Sequence, residues 1–387
     1  MRVTHVITRL VIGGAQENTI ATVLGLQNRP DLQVELIAGP TTGPEGSLES
    51  AFAARPELLT ILPSLIRPIH PWHDLLAWRR LTAIFRARTP RIVHTHSGKA
   101  GILARLAARR AGVPIIIHTV HGPSFGPFQG AFSNLLLRRA EQRAAKVTTH
   151  FISVADAMTK QYVAAGVGHA GQYTRIFSGF ELEPFLTAHN DPRLRARLGI
   201  APSDFVIGKI ARLFHLKGHE DLIAAAPNIL RRHIQTKFLL VGDGRLRSRL
   251  QEQVRAAGLE KHFIFAGLIP PADVPKFMGV MDVVAHLSRR EGLPRALPQA
   301  LAAGKPVVAY DCDGANEVCL PGETGFLVVP GDVDDLADRL VQLAGAPELR
   351  EQFGSRGRDF VRQNFSVETM LEKIYALYLK LLETESK

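Results

Sequence analysis

Residues 286–332 read HLSRREGLPRALPQALAAGKPVVAYDCDGANEVCLPGETGFLVVPGD. A strand-like run, Val283-Val284-Ala285-His286, leads into this stretch and ends in a basic-acidic turn. Gly292-Leu293-Pro294 follows, and small residues predict a short helix from about Leu297 to Ala303. Gly304 stops that helix, and a second strand is expected over Pro306 to Ala309. Ligands of open α/β sheets bind beyond the carboxyl ends of the strands. The N–H groups at the following helix start favour a phosphate or sugar oxygen there. Glu291 is a lone carboxylate at this hand-over from strand to helix. It can hold sugar hydroxyls while the helix end holds negative charge. Taken alone, it is also explained as a carboxylate complementing the helix dipole.

The same pattern extends outward in both directions. Ile92-Val93, Ile115-Ile116-Ile117, Phe151-Ile152, Phe205-Val206-Ile207, Phe238-Leu239-Leu240-Val241 and Val307-Val308 are short apolar runs separated by helix-length segments. Uniformly apolar short runs are the mark of parallel strands covered on both faces. A length of 387 residues suggests two domains. Ser153 closes the last clear strand of the first half, and the pattern loosens from Ile176 to Asn190, where a linker is expected. A second set of βα units starts at Phe205. The final segment, about Val367 to Leu382, has Met370, Leu371, Ile374, Leu377 and Leu381 at helical spacing.

With 46% hydrophobic and 21% charged residues, the chain is a globular protein and not a disordered one. Two cysteines, Cys312 and Cys319, provide no disulfide framework and fit a reducing compartment. The first residues run straight into an apparent strand, Val3 to Ile7, with no signal-peptide pattern, and no run reaches the length of a membrane span. A cytoplasmic protein is expected. The net charge of +11 is uneven. Residues 1–187 hold 20 Lys and Arg against 11 Asp and Glu, and residues 188–387 hold 27 against 25. The sources in the basic half are Arg79, Arg80, Arg86 and Arg88, then Arg105, Arg109 and Arg110, then Arg138, Arg139 and Arg143. They read as solvated helix faces, or as attraction to an anionic membrane surface or a lipid-diphosphate acceptor. Nucleic acid is disfavoured, since no aromatic-interleaved basic platform or zinc-finger spacing is present.

Three motifs in order carry a resemblance. Glu291-Gly292-Leu293-Pro294 with Gln299-Ala300 resembles the Glu-x7-Glu signature of the family-four retaining glycosyltransferases. Ala211-Arg212-Leu213-Phe214-His215-Leu216-Lys217-Gly218-His219 resembles that family's Arg and Lys-Gly diphosphate clamp, and Gly13-Gly14-Ala15-Gln16-Glu17 resembles its acceptor-side glycine loop. The order and spacing hold over about residues 3 to 380. The resemblance implies the GT-B fold: two doubly wound Rossmann-like α/β domains facing each other across a cleft. An acceptor-side domain would span residues 1–185 and a nucleotide-sugar donor domain 186–365. A C-terminal helix, 366–387, would cross back to the first domain.

The resemblance also implies roles. Arg212 and Lys217 would hold the diphosphate, Glu291 the sugar hydroxyls, and Gln299 the ribose. Gly292, Leu293 and Pro294 would line the donor, as would Gly14. Gly242 and the segment of Gly267 and Leu268 would lie near the nucleotide. His121, the His immediately before Gly122, would be the active-site His facing the donor sugar, with Gly13 and Gly14 on the acceptor side. Position 299 is Gln where the family usually has its second Glu. Gln both accepts and donates, so ribose binding with altered strength is expected. No cofactor and no metal are implied; the donor is a nucleoside-diphosphate sugar, UDP-linked first. The acceptor is a glycan or a lipid-linked glycan of cell-surface polysaccharide assembly.

Competing readings remain at this point. Val241-Gly242-Asp243-Gly244 reads as a structural turn when taken alone. His94 and His96, two apart on a strand, share a face and suggest a metal site with His118 and His121, but no diagnostic third-ligand spacing supports zinc. Asp311-Cys312-Asp313 spells a metal-binding Asp-x-Asp, yet Asp313-Gly314 reads as a turn, with Glu317 resembling a Glu near the donor. A sugar-nucleotide epimerase, a phosphorylase and a non-catalytic nucleotide-sugar binder are the alternative functions.

Overall fold

The computed structural model of the chain describes residues 1–42, 46–126 and 128–385. It divides into two units, Met1–Phe180 with Val367–Lys387, and Glu181–Ser366. The first unit carries a seven-stranded sheet of β1 (Arg2–Ile7), β2 (Gln33–Ala38), β3 (Leu59–Ile61), β4 (Ile92–His96), β5 (Ile115–Val120), β6 (His150–Ser153) and β7 (Tyr173–Arg175). Their order is β3-β2-β1-β4-β5-β6-β7, and every neighbouring pair is parallel. Each residue of β4 and β5 is buried, as expected of strands covered on both faces.

Alternation along the strands creates two cores. Val3, Ile7, Ile92, Ile115 and Ile117 pack against Ile20, Val23 and Leu26 of the helix Gly14–Leu26, and against Met370, Ile374, Leu377 and Tyr378 of the helix Val367–Glu385. The opposite face, with Val6, Val93 and Ile116, packs on the helices Pro71–Arg88 and Gly98–Ala111.

The second unit has six parallel strands: β8 (Phe205–Ile210), β9 (Thr236–Val241), β10 (Phe263–Gly267), β11 (Val283–His286), β12 (Val307–Tyr310) and β13 (Gly325–Val328). Their order is β10-β9-β8-β11-β12-β13. In both sheets the strand order reverses once, between β1 and β4 in the first unit and between β8 and β11 in the second. Such a switch point leaves a crevice beyond the strand ends where doubly wound proteins bind ligands.

Several expectations change in detail. The short helix is Ala296–Ala302, and the strand after it is Val307–Tyr310. β7 extends the first sheet beyond Ser153, because three residues are enough to add a parallel edge there. Arg105 is not a surface charge. It is completely buried against Glu141, Nη2 to Oε2 at 2.5 Å, so only the other arginines of its cluster reach solvent. Among the described residues no helix is long and apolar enough to cross a membrane.

Candidate functional site

The switch point of the second unit gathers the expected donor residues. The loop after β8 carries Arg212 and Lys217, and the loop after β11 carries Glu291. Lys217 Nζ pairs with Glu291 Oε1. Burial alone would raise the Glu291 carboxyl, but the Lys217 ammonium outweighs it and holds it below the usual range. His286 Nε2 lies 3.7 Å from Glu291 Oε1, and burial pushes His286 down to about 3, so it is neutral near pH 7. Glu291 is thus an ionised carboxylate, able to accept hydrogen bonds from hydroxyls. Arg212 is exposed, and its guanidinium has no carboxylate partner among the described residues. One paired and one unpaired cation on a single loop leave charge available for an anionic ligand.

Backbone geometry holds this arrangement. Gly218 is left-handed, at φ 64°, and a Cβ there would meet Leu287 O at 2.2 Å. The chain can therefore enter the helix His219–Arg232 only if this residue is glycine. Gly242, at φ 133°, lies against the Arg212 loop, where a Cβ would meet Ala211 O at 2.2 Å. Leu213 N–H donates to Asp243 O and Leu246 N–H donates to Leu213 O, so the Val241–Gly244 turn braces the loop carrying Arg212. Gly242 also pairs with Gly267, and Leu268 beyond it is exposed.

The Asp-x-Asp segment serves the Glu291 turn. Glu291 N–H donates to Asp313 Oδ2 at 2.7 Å, and Gly314 N–H donates to Gly292 O at 3.2 Å. Asp311 Oδ1 accepts from Asn316 Nδ2 at 3.1 Å. Asp313 and Glu317 bound a short 3-10 turn. Leu293 and Pro294 are buried, and Gln299 is half-buried on Ala296–Ala302 with no side-chain hydrogen bond among the described residues. Sequence reasoning missed Lys209 of β8. It is fully buried, its Nζ has no hydrogen-bond partner, and burial followed by Lys217 pushes it down to about 7.

In the first unit, Gly13 precedes the helix that begins at Gly14. Gly13 is extended, at φ 170°, so its conformation suits any residue. His121 follows β5, and the four-histidine cluster does not form. Successive strand residues face opposite sides. His118 points away into the core, bonded to Thr95 Oγ1 at 2.9 Å and edge-on to Phe151. His5 joins instead, because β1 pairs with β4 and places His5 beside His94. His5 Nδ1 lies 3.0 Å from His96 Nε2, and His96 Nδ1 lies 3.0 Å from His121 Nε2. Tyr378 OH lies 2.6 Å from His94 Nδ1 and 3.4 Å from His5 Nε2, and His94 Nε2 lies 2.6 Å from Thr119 Oγ1. One ring nitrogen from each of His5, His94 and His96 lies within 4.8 Å of the other two, and each ring has two nitrogens. All six are engaged in these bonds, so the cluster is explained as a hydrogen-bonded array.

A Val-x-His-x-Ile pattern in β1 was the available signal for His5, but only strand order shows its partner. The loop after His121 is pinned as well. Ser124 N–H and Oγ bond Tyr162 OH, and Ser124 Oγ donates to Glu141 Oε1, the carboxylate that holds Arg105.

Each of the two units is doubly wound, and the switch point of the second sets a cationic loop beside a carboxylate. The family model for glycosyl transferases group 1 matches residues 190–360, and that for a glycosyl transferase 4-like domain matches residues 13–176. The chain is 30% identical over 302 residues, 73% of its length and 77% of the relative's, to a GDP-mannose-dependent alpha-(1-6)-phosphatidylinositol monomannoside mannosyltransferase of Mycolicibacterium smegmatis. It is 29% identical over 325 residues, 83% of each chain, to the UDP-Gal:alpha-D-GlcNAc-diphosphoundecaprenol alpha-1,3-galactosyltransferase of Escherichia coli. Its fold matches a crystal structure of Anabaena HepE in complex with UDP, with a TM-score of 0.83 and 24% identity over 98% of this chain and all of that one. The protein belongs to the glycosyltransferase family, with the GT-B fold.

Proposed function

We propose that the protein is a retaining, metal-independent hexosyltransferase, acting from a UDP-sugar onto a glycan or lipid-linked acceptor in cell-surface polysaccharide assembly. The observation that carries this reading is the Lys217–Glu291 pair at the β8/β11 switch point, with unpaired Arg212 on the same loop. Arg212 and Lys217 take the diphosphate, Glu291 the sugar hydroxyls, and Gln299 the ribose. Gly242, Gly267 and Leu268 serve the nucleotide, and Gly292, Leu293 and Pro294 shape the donor pocket. His121, with Gly13 and Gly14, serves the acceptor side. The anomeric bond to the diphosphate breaks while the acceptor hydroxyl attacks the same face. The departing phosphate takes the acceptor proton. Charge grows on that phosphate, and the two cations stabilise it. Glu291 is committed to Lys217, which suits a hydroxyl acceptor better than a nucleophile.

The UDP donor and the lipid-linked acceptor draw support from the galactosyltransferase relative, whose name specifies both. Exposed Trp72, Leu75 and Leu76 adjoin Arg79 and Arg80, and exposed Phe132, Leu135 and Leu136 adjoin Arg138 and Arg139. Apolar and basic residues together suit the surface of an anionic membrane.

The test is thermal shift with UDP-, GDP-, ADP- and TDP-sugars, with and without EDTA, on wild type and Lys217→Ala. A ligand that binds the folded state raises its melting temperature. One nucleotide sugar is expected to give a shift that EDTA leaves unchanged. Lys217→Ala is expected to lower turnover of that donor by about 10²–10³-fold while the variant stays folded. Wild-type turnover in that variant would remove Lys217 from the reaction.

A further inference from the structure

We propose that Tyr378, on the C-terminal helix, sets through His5 and His96 which nitrogen of His121 carries the proton, so that His121 presents Nδ1 as a hydrogen-bond acceptor. The four residues form an unbroken chain: Tyr378 OH to His5 Nε2 at 3.4 Å, His5 Nδ1 to His96 Nε2 at 3.0 Å, and His96 Nδ1 to His121 Nε2 at 3.0 Å. His96 stacks on His121 with centroids 5.3 Å apart, and on His94 at 4.5 Å, so the rings have little freedom to turn.

A neutral imidazole has one N–H and one lone pair. In a row of neutral rings every proton must therefore point the same way, and a choice made at one end fixes the other. Burial keeps these rings neutral: it lowers His5 and His121 to about 3 and about 4, and lowers His94 and His96 well below the ordinary value.

The hydroxyls at the far end make the choice. His94 meets two of them, Tyr378 OH at Nδ1 and Thr119 Oγ1 at Nε2, each at 2.6 Å. With one N–H of its own, His94 accepts from one hydroxyl and donates to the other. The phenol is the stronger acid, so Tyr378 donates to Nδ1 and Thr119 accepts from Nε2–H. The single hydrogen of Tyr378 is then used, and its oxygen can only accept from His5 Nε2–H. It follows that His96 donates to His5 through Nε2–H and His121 donates to His96 through Nε2–H. Nδ1 of His121 keeps its lone pair and has no partner among the described residues. Such a nitrogen accepts from a hydroxyl and cannot donate to a ligand oxygen. Tyr378 is thus a positioning residue for His121. The proposal rests on the glycosyltransferase reading in one respect only, that the hydroxyl it meets belongs to a sugar.

Nitrogen-15 spectra of imidazole-labelled protein at pH 7.5 test it directly, because the two tautomers have distinct shifts. The expected result is Nε2–H at His5, His94, His96 and His121. Tyr378→Phe removes the acceptor of His5 Nε2–H. A buried donor left without a partner is unfavourable, so the row is expected to reverse, moving the proton of His121 to Nδ1. Nδ1–H at His121 in the wild type overturns the proposal, as does an unchanged His121 tautomer in a folded Tyr378→Phe variant. If the variant does not fold, the wild-type spectrum decides: Nδ1–H on His96 alongside Nε2–H on His5 breaks the row and overturns the proposal. Donor-sugar turnover separates the two readings. A reversed tautomer with unchanged kcat and KM supports the relay and removes His121 from the sugar site.

Discussion

The first unit is expected to lose about 6 kcal/mol of stability between pH 7 and pH 5.5. The cause is five histidines, the buried His5, His94, His96 and His118 and the half-buried His121, all of which desolvation holds neutral. In the unfolded chain each takes a proton near the ordinary value of 6.5. In the folded protein protonation waits until about 4 for His121 and about 3 for His5. The unfolded state therefore binds more protons below pH 6.5, and stability falls as the pH falls, until the folded values are reached. Each proton is worth about 1.4 kcal/mol per pH unit at full slope, and five acting together give the figure above. Domains are stable by only about 5–15 kcal/mol, so mild acid should remove much of the margin. The second unit has two such histidines, His219 and His286, each pushed down to about 3, and should withstand acid better. Urea unfolding at pH 7, 6 and 5.5 measures this. A flat stability over that range would mean that these rings take up protons in the folded state.

Glu141→Ala is expected to destabilise the first unit by about 3–5 kcal/mol, the cost of leaving a buried charge without its partner. Arg105 and Glu141 are both inaccessible to solvent. Arg105 also donates from Nε to Gly101 O at 2.9 Å and from Nη1 to Thr148 Oγ1 at 3.3 Å, and these bonds cannot neutralise it. In a unit of this size the melting temperature should fall by roughly 10 °C. Replacing both partners together, Arg105→Met with Glu141→Leu, should recover most of the loss, because an apolar pair of similar volume avoids the desolvation penalty. Equal losses in the single and double variants would show that packing, not charge, dominates. Glu141 also accepts from Ser124, in the loop following His121, so the single variant should loosen that loop.

The residues expected to hold the donor could be read as a group because they are local. Arg212, Lys217 and Gly218 lie on one loop, and Glu291 with Gln299 lie on one strand-to-helix passage, so spacing along the chain brings their types into view. Asp313 was legible only as a turn. Its bond to the Glu291 amide spans a strand and a helix that the sequence does not pair. The basic half was over-read at Arg105, because a helix pattern shows which residues share a face but not that one of them meets a carboxylate 36 positions away.

The sequence by itself determined the alternation of buried strands and helices, the division into two doubly wound units, and the chemistry of the loops at the strand ends. Those follow from short-range periodicity and from residues within a few turns of one another. Tertiary structure alone decided which histidines meet. His5, His94 and His96 converge because β1 lies beside β4, and Tyr378 completes the row because the last helix packs on the first sheet, 373 residues from His5. Strand order and helix docking depend on how whole faces bury against one another, and no local pattern encodes that.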